Sequence, residues 1–267
     1  MFAFLNKGVK ASMLAGVLVA VPTVANAATA MLASNDYVGI SFWTISMAMV
    51  AATIFFLMEA GRLSGKWKTS MTVGALVTLI AAVHYFYMRD VWVETGESPT
   101  VYRYVDWLIT VPLQMVEFYF ILAAVMAVSA GIFWRLLIGS LVMLGAGYAG
   151  EAGLINAWAG FIVGMAGWAY ILYEIFAGEA GKASAEKAPA SVQSAFGTMR
   201  LIVTVGWAIY PLGYFFGYLQ GAADDVTLNV IYNVADVINK IAFVGIIWAA
   251  ANAETKELNI ENSRNIF

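Results

Sequence analysis

The stretch Tyr232-Asn-Val-Ala-Asp236-Val-Ile-Asn-Lys240-Ile-Ala-Phe-Val-Gly sits inside an apolar run from about residue 226 to residue 251. A run of that length spans a bilayer, and Lys240 falls near its middle. A charge there costs about 2.5–3.5 kcal/mol even on a lenient insertion scale, so it needs a partner or a function. Asp236 lies one helical turn earlier, on the same face. Two readings stand at this point. One is a buried ion pair that pins helix packing. The other is a reactive amine kept beside its counterion.

Working outward, composition places that run in a membrane protein. Of 267 residues, 62% are hydrophobic and 12% charged, about half the charged share of a soluble domain. The chain has no cysteine, which excludes disulfides and thiol chemistry. The formal charge of −3 and the lack of a basic tract argue against a nucleic-acid partner. Lys7 and Lys10 precede a short apolar run, and Ala25-Asn26-Ala27 follows it. That pattern predicts a cleaved signal peptide at 1–27, a membrane domain at 28–254 and a cytoplasmic tail at 255–267. The apolar pattern predicts seven spans, at 37–63, 69–91, 101–128, 132–149, 155–177, 192–219 and 226–251. The connections are short and rich in turn residues, so consecutive helices should be antiparallel neighbours. The expected fold is an all-α seven-helix bundle in a lipid bilayer.

Charge orients the bundle. With the mature N-terminus outside, the cytoplasmic side carries Arg62, Lys66, Lys68, Arg135, Lys182, Lys187, Arg200, Lys256 and Arg264, and the outer loops carry Arg89. This is a positive-inside bias. The outer side is acidic, with Asp90, Glu94, Glu97, Glu151, Asp224 and Asp225. Arg103 and Lys240 are left over, both inside spans.

The third span repeats the anomaly of the seventh. It reads Arg103-Tyr-Val-Asp106-Trp107-Leu-Ile-Thr110-Val-Pro112-Leu-Gln114-Met-Val-Glu117. With Asp106 at zero, Glu117 falls at roughly 20°, Thr110 at 40°, Arg103 at 60° and Gln114 at 80° around the helix. Five polar side chains therefore share one stripe. The two carboxylates are about 16 Å apart along the axis. Hydroxyls and amides would suffice to glue helices, whereas stacked acids suit a proton path. In the sixth span, Trp207, Tyr210 and Tyr214 share a face beside Pro211, and Trp107 and Trp168 could close other sides of a pocket. Aromatic stripes are also common as packing or interface belts. His84, the single histidine, lies in the second span. It either satisfies a local hydrogen bond or partners a carboxylate of the third.

Together these segments resemble the microbial (type I) rhodopsins, and most closely the blue-absorbing proteorhodopsins, over all seven spans. The likeness rests on the string from Arg103 to Gln114, on Trp207-Ala-Ile-Tyr-Pro, and on Asp236-Val-Ile-Asn-Lys240. It implies a light-driven outward proton pump in a bacterial inner membrane, with all-trans retinal held by Lys240 as a protonated Schiff base. It further implies Asp106 as counterion and proton acceptor, Asp236 as second counterion, Arg103 beneath it and Glu117 as cytoplasmic proton donor. His84 would pair with Asp106. Trp107, Thr110, Met143, Trp168, Trp207, Tyr210 and Tyr214 would surround the chromophore, with Gln114 tuning its colour to the blue. Glu151 is a candidate for proton release by its acidity and position. Relatives form homo-oligomeric rings of five or six, in which Trp43 and His84 resemble contact residues. Phe161 stands where antenna-binding relatives keep a small residue. The rival functions are a photosensor, which the carboxylate at Glu117 disfavours, and a dark seven-helix transporter or receptor, which leaves Lys240 unexplained.

Overall fold

The computed structural model describes residues 32–264, and its described residues are all helix and connection, without strands. The expected signal segment at 1–27 lies outside the described residues. The helices are α1 (Tyr37–Ala60), α2 (Trp67–Thr95), α3 (Thr100–Val125), α4 (Ala130–Glu151), α5 (Ala157–Phe176), a short α6 (Glu179–Lys187), α7 (Ala190–Leu219) and α8 (Asp225–Arg264). Seven of them are long and apolar enough to cross a membrane, with α6 continuing the fifth span. The chain is a multi-pass, seven-helix membrane protein.

Local chemistry starts and stops the helices where hydropathy alone cannot. Asp36 Oδ1 accepts from Gly39 N at 2.8 Å, Asn156 Oδ1 from Trp158 N at 3.0 Å and Asp224 Oδ1 from Thr227 N at 2.7 Å, opening α1, α5 and α8. The bonds from Thr227 hold the Asp224 carboxyl below the ordinary carboxylate range. At the other end of α2, Gly96 takes φ +71°, a left-handed cap, and its N–H returns to Trp92 O. The sequence places the seventh helix's end near 251, but α8 runs on to Arg264. Hydropathy marks the apolar layer, and the helix outlasts it because its backbone ladder continues into polar sequence. The connection expected at 178–191 likewise contains α6, whose Ala-, Glu- and Lys-rich sequence favours helix.

Consecutive helices pack side by side, and α8 closes the bundle against α1, α2 and α7. Helices α4 and α5 approach closely through glycine. A Cβ on Gly160 would lie 2.7 Å from Ala146 O and 2.8 Å from Gly150 Cα. Small residues permit this closeness, and lipid offers no hydrophobic force to replace it. Helix α3 buries Arg103, Asp106, Thr110, Gln114 and Glu117 alike, so the stripe read from its sequence faces the interior.

Three stretches widen from α to π geometry: Ile202–Gly206 and Phe215–Leu219 in α7, and Ile238–Ala242, around Lys240, in α8. Such widenings often mark functional positions. In two of them, side chains from elsewhere take carbonyls of the widened stretch. Trp168 Nε1 donates to Val203 O at 3.1 Å, Asn239 Nδ2 to Gly206 O at 3.2 Å, and Gln114 Nε2 to Asn239 O at 2.8 Å. The indole and the two amides thereby lock the widened turns into the packing.

Candidate functional site

Lys240 Nζ lies 2.5 Å from Asp106 Oδ2 and 2.9 Å from Asp236 Oδ2, and all three side chains are almost wholly excluded from the surface. Helical spacing explains the second contact, since Asp236 and Lys240 are i, i+4. The first needs α3 to pack against the widened turn of α8. A buried charge triad is sustained only when remaining polar positions are satisfied, and the two carboxylates differ on that count. Asp236 accepts from Tyr85 Oη at 2.8 Å, from Tyr210 Oη at 2.6 Å and, more distantly, from Trp107 Nε1 at 3.4 Å, besides the lysine. Asp106 Oδ1 is buried with no hydrogen-bond partner among the described residues. The two acids flanking one amine are thus a clamped one and an open one.

Arg103 lies one turn before Asp106 on α3, 2% exposed. Its guanidinium donates to Asn229 Oδ1 at 2.7 Å and to Asn233 Oδ1 at 3.2 Å. Its Cζ stands 5.3 Å from the Tyr232 ring centroid and 5.7 Å from that of Phe42. Glu117, at the other end of the stripe, is fully buried; Ser70 on α2 donates to its Oε2, and Oε1 has no partner among the described residues. Thr110 is buried with its hydroxyl on Asp106's own carbonyl at 2.9 Å. It supports the backbone beside the acid and does not line the cavity described below.

His84 is half-buried on α2, and its Nδ1 lies 2.9 Å from Ile80 O. A carbonyl can only accept, so Nδ1 carries a proton and Nε2 is the ring nitrogen left for another partner. No hydrogen bond joins His84 to Asp106 among the described residues. Trp43 is 36% exposed, packs edge-on against Phe86 at 5.6 Å, and has the Arg89 guanidinium over its ring at 5.7 Å.

Lys240 lines a cavity inside the bundle. Trp107, Gln114, Met143, Trp168, Trp207, Tyr210 and Tyr214 all line it, so the structure gathers the residues read from four separate helices. Trp107 meets Tyr210 edge-on at 5.0 Å between ring centroids. Gly160, Gly164 and Phe161 of α5 and Glu151 of α4 complete the walls. Tyr104 donates to Glu151 Oε1 at 2.7 Å. Sequence reasoning passed over Tyr85, Ser70, Asn229, Asn233 and Asn239. Four of the relevant α8 positions, 229, 233, 236 and 240, recur at helical spacing within an apolar run, and that periodicity was available as a signal.

An amine between two acids on the wall of an aromatic-lined cavity allows two things chemically. It can condense with a carbonyl ligand filling the slot, and it can exchange a proton with the open acid across one short hydrogen bond. Comparison with known proteins bears on the family. Residues 36–254 match the family model of bacteriorhodopsin-like proteins. The chain is 54% identical to a blue-light absorbing proteorhodopsin of Gamma-proteobacterium Hot 75m4 and 53% identical to a green-light absorbing proteorhodopsin of Gamma-proteobacterium EBAC31A08, in each case over 92% of this chain and 98% of the relative. Among solved structures, the blue light-absorbing proteorhodopsin from Med12 aligns with TM-score 0.71 at 53% identity, covering 82% of this chain and all of that one. Xanthorhodopsin, described as a light-driven ion pump with dual chromophore, aligns with TM-score 0.73 at 26% identity over 85% of this chain and 97% of that one. The expected resemblance holds across the spans, and the chain belongs to the bacteriorhodopsin-like proteins.

Proposed function

We propose that this protein is a light-driven outward proton pump of a bacterial inner membrane, with all-trans retinal attached to Lys240. The observation that carries the reading is the lysine amine lining an aromatic cavity, shared between a clamped and an open carboxylate. The residues present fit the group. The amine reaches into the cavity, tryptophans and tyrosines offer flat apolar faces, and Gly160 and Gly164 keep the α5 wall low. When bound through a Schiff base, retinal supplies visible absorption and a light-driven change of shape at the attached nitrogen.

The chain's own residues then set the path of the proton. Lys240 Nζ holds it between Asp106 and Asp236. Asp236 has its lone pairs taken by two tyrosines and an indole, so it acts as a fixed counter-charge. Asp106 has an oxygen without a donor and is the natural acceptor. Glu117, held by Ser70, stands about three turns away on the same stripe and returns a proton from the opposite side. Glu151, held by Tyr104, borders the cavity on the acidic side and is the candidate for release. Gln114 adjoins the lysine turn through Asn239 O, where a polar amide would tune the colour toward the blue. The basic loops at the Glu117 end set the direction by the positive-inside rule. We place the protein in rings of five or six copies, with Trp43 and His84 at the contact.

The test is direct. Membranes supplied with retinal should turn coloured, and lightly buffered cells should acidify their medium under light, reversed by a protonophore. Colour without acidification would favour a sensory role, and no colour would remove the pigment reading.

A further inference from the structure

We propose that Asn229 and Asn233 are positioning residues for Arg103, forming a neutral amide clamp whose polarity is fixed from α1 by Ser41, and that this clamp sets the field of Arg103 at the lysine site. The proposal rests on the pigment reading above for its second half only.

The hydrogen bonds of the clamp fix the orientation of both amides. Asn233 Nδ2 donates to Ser41 Oγ at 2.8 Å, and Ser41 Oγ in turn donates to Val38 O at 2.7 Å. The serine proton is therefore spent on a backbone carbonyl, and its oxygen is left to accept from the amide. That turns Asn233 Oδ1 toward the guanidinium, at 3.2 Å from both Nη1 and Nη2. Asn229 is oriented in the same way, since its Nδ2 donates to Asp225 O at 2.8 Å and its Oδ1 accepts from Arg103 at 2.7 Å. Both amides are fully buried. A flipped amide would aim an N–H₂ at a cation, so this orientation is enforced twice over.

The choice of amide has a physical consequence. Among the described residues no carboxylate makes an ion pair with Arg103. Its charge is held by dipoles and aromatic faces without being neutralised, so it continues to act at a distance. The titratable groups that feel it are Asp236 and Tyr232 on α8, Tyr85 on α2, Glu151 on α4, and Tyr210 and Tyr218 on α7. Asp236 shares Lys240 with Asp106. Where the clamp puts the guanidinium therefore sets the charge balance at the lysine.

The experiment compares the parent, Asn233→Leu and Ser41→Ala in lipid, by two readouts. The first is solid-state NMR of the Arg103 guanidinium nitrogens, assigned by their loss in Arg103→Gln. It reads the clamp with or without pigment. The second is the pH midpoint of the colour titration. Asn233→Leu should displace the guanidinium resonances and move the midpoint by on the order of half a pH unit, as expected for a unit charge shifted by about 2 Å in a partly polar site. Ser41→Ala touches neither Arg103 nor the cavity. It should move both readouts in the same sense by less. Unchanged resonances in both variants overturn the clamp. Displaced resonances with an unmoved midpoint overturn its role at the lysine. If Asn233→Leu does not insert, Ser41→Ala decides alone. A parent that takes up no retinal counts against the pigment reading, while the resonances still decide the clamp.

Discussion

Asp106 and Asp236 touch the same nitrogen, and what separates them is the company of their other oxygens. Asp236 is surrounded by Tyr85, Tyr210 and Trp107, whereas Asp106 Oδ1 has no donor among the described residues. Asp106→Asn should keep retinal, shift the colour to the red because an anion beside the cation is lost, and abolish light-driven acidification. Acidification that persists in that variant would remove Asp106 from the acceptor role. Lys240→Ala should give an inserted, helical and colourless protein that yields no retinyl adduct with borohydride. It should also lose about 3–5 kcal/mol of stability if both acids remain charged, because a buried pair broken on one side leaves its partner uncompensated. A thermal midpoint equal to the parent's would mean that the acids take up a proton instead. His84 differs from the expectation in its geometry: its Nδ1 proton goes to Ile80 O. A tie to Asp106 would have to run through Nε2. His84→Met should move the colour-titration midpoint if that tie exists, and an unchanged midpoint would separate the two residues.

At the scale of elements, the site depends on where helices depart from ideal geometry. The widened turn at Ile238–Ala242 carries Lys240, and Gln114 takes the carbonyl of Asn239 there. The cavity's low wall depends on α4 and α5 lying close enough that Gly160 nearly touches Gly150. Gly160→Val should force the two helices apart, cost about 1–3 kcal/mol as overpacking does, and weaken retinal uptake because the wall moves. A variant with the parent's thermal midpoint and uptake would show that the pair can slide without cost. These departures mark the limit of what the sequence discloses. Apolar runs located the seven spans, because hydropathy reports the bilayer directly. The α3 stripe and the Asp236–Lys240 pair were legible because a charge in an apolar run must face inward and helical spacing says which others join it. The π turns were not legible, since in two of them the freed backbone carbonyls are claimed by side chains of other helices. Nor was Tyr85, which looks like any apolar-run aromatic until α2 sets its hydroxyl on Asp236. Asn229 and Asn233 lay between: their spacing with Asp236 was visible, but the guanidinium they hold comes from another helix.

Across the whole molecule, the polar groups form a line with unlike ends. Glu117 and Ser70 lie toward the end of the bundle that carries Arg62, Lys66 and Lys68. Arg103 and its asparagines lie toward the end that carries Glu97 and Asp224. Between Glu117 and Asp106 the α3 stripe offers Thr110 and Gln114, whose hydrogen bonds go to Asp106 O and Asn239 O, and Phe118 packs edge-on to Phe196 at 4.9 Å and to Phe243 at 6.0 Å. On the other side of the site, amides, tyrosines and Glu151 succeed one another. A proton leaving Lys240 toward Asp106 therefore has tyrosines, amides and Glu151 to continue along, whereas one arriving from Glu117 meets no titratable side chain on the α3 stripe before Asp106. If the basic loops are cytoplasmic, this asymmetry drives export. Illuminated intact cells should acidify the medium, and inverted vesicles should alkalinise theirs. The step from Glu117 should be slow and should depend on Glu117 alone. Glu117→Gln should leave the resting colour and the first proton transfer unchanged and slow the return to the resting state after a flash by at least tenfold, the loss of about 1.4 kcal/mol or more of barrier lowering. Azide, a small diffusible proton carrier, should restore the parent's rate. A variant that recovers as fast as the parent without azide would show that the proton comes back by another route. The direction of transport would then have to be sought outside the α3 stripe.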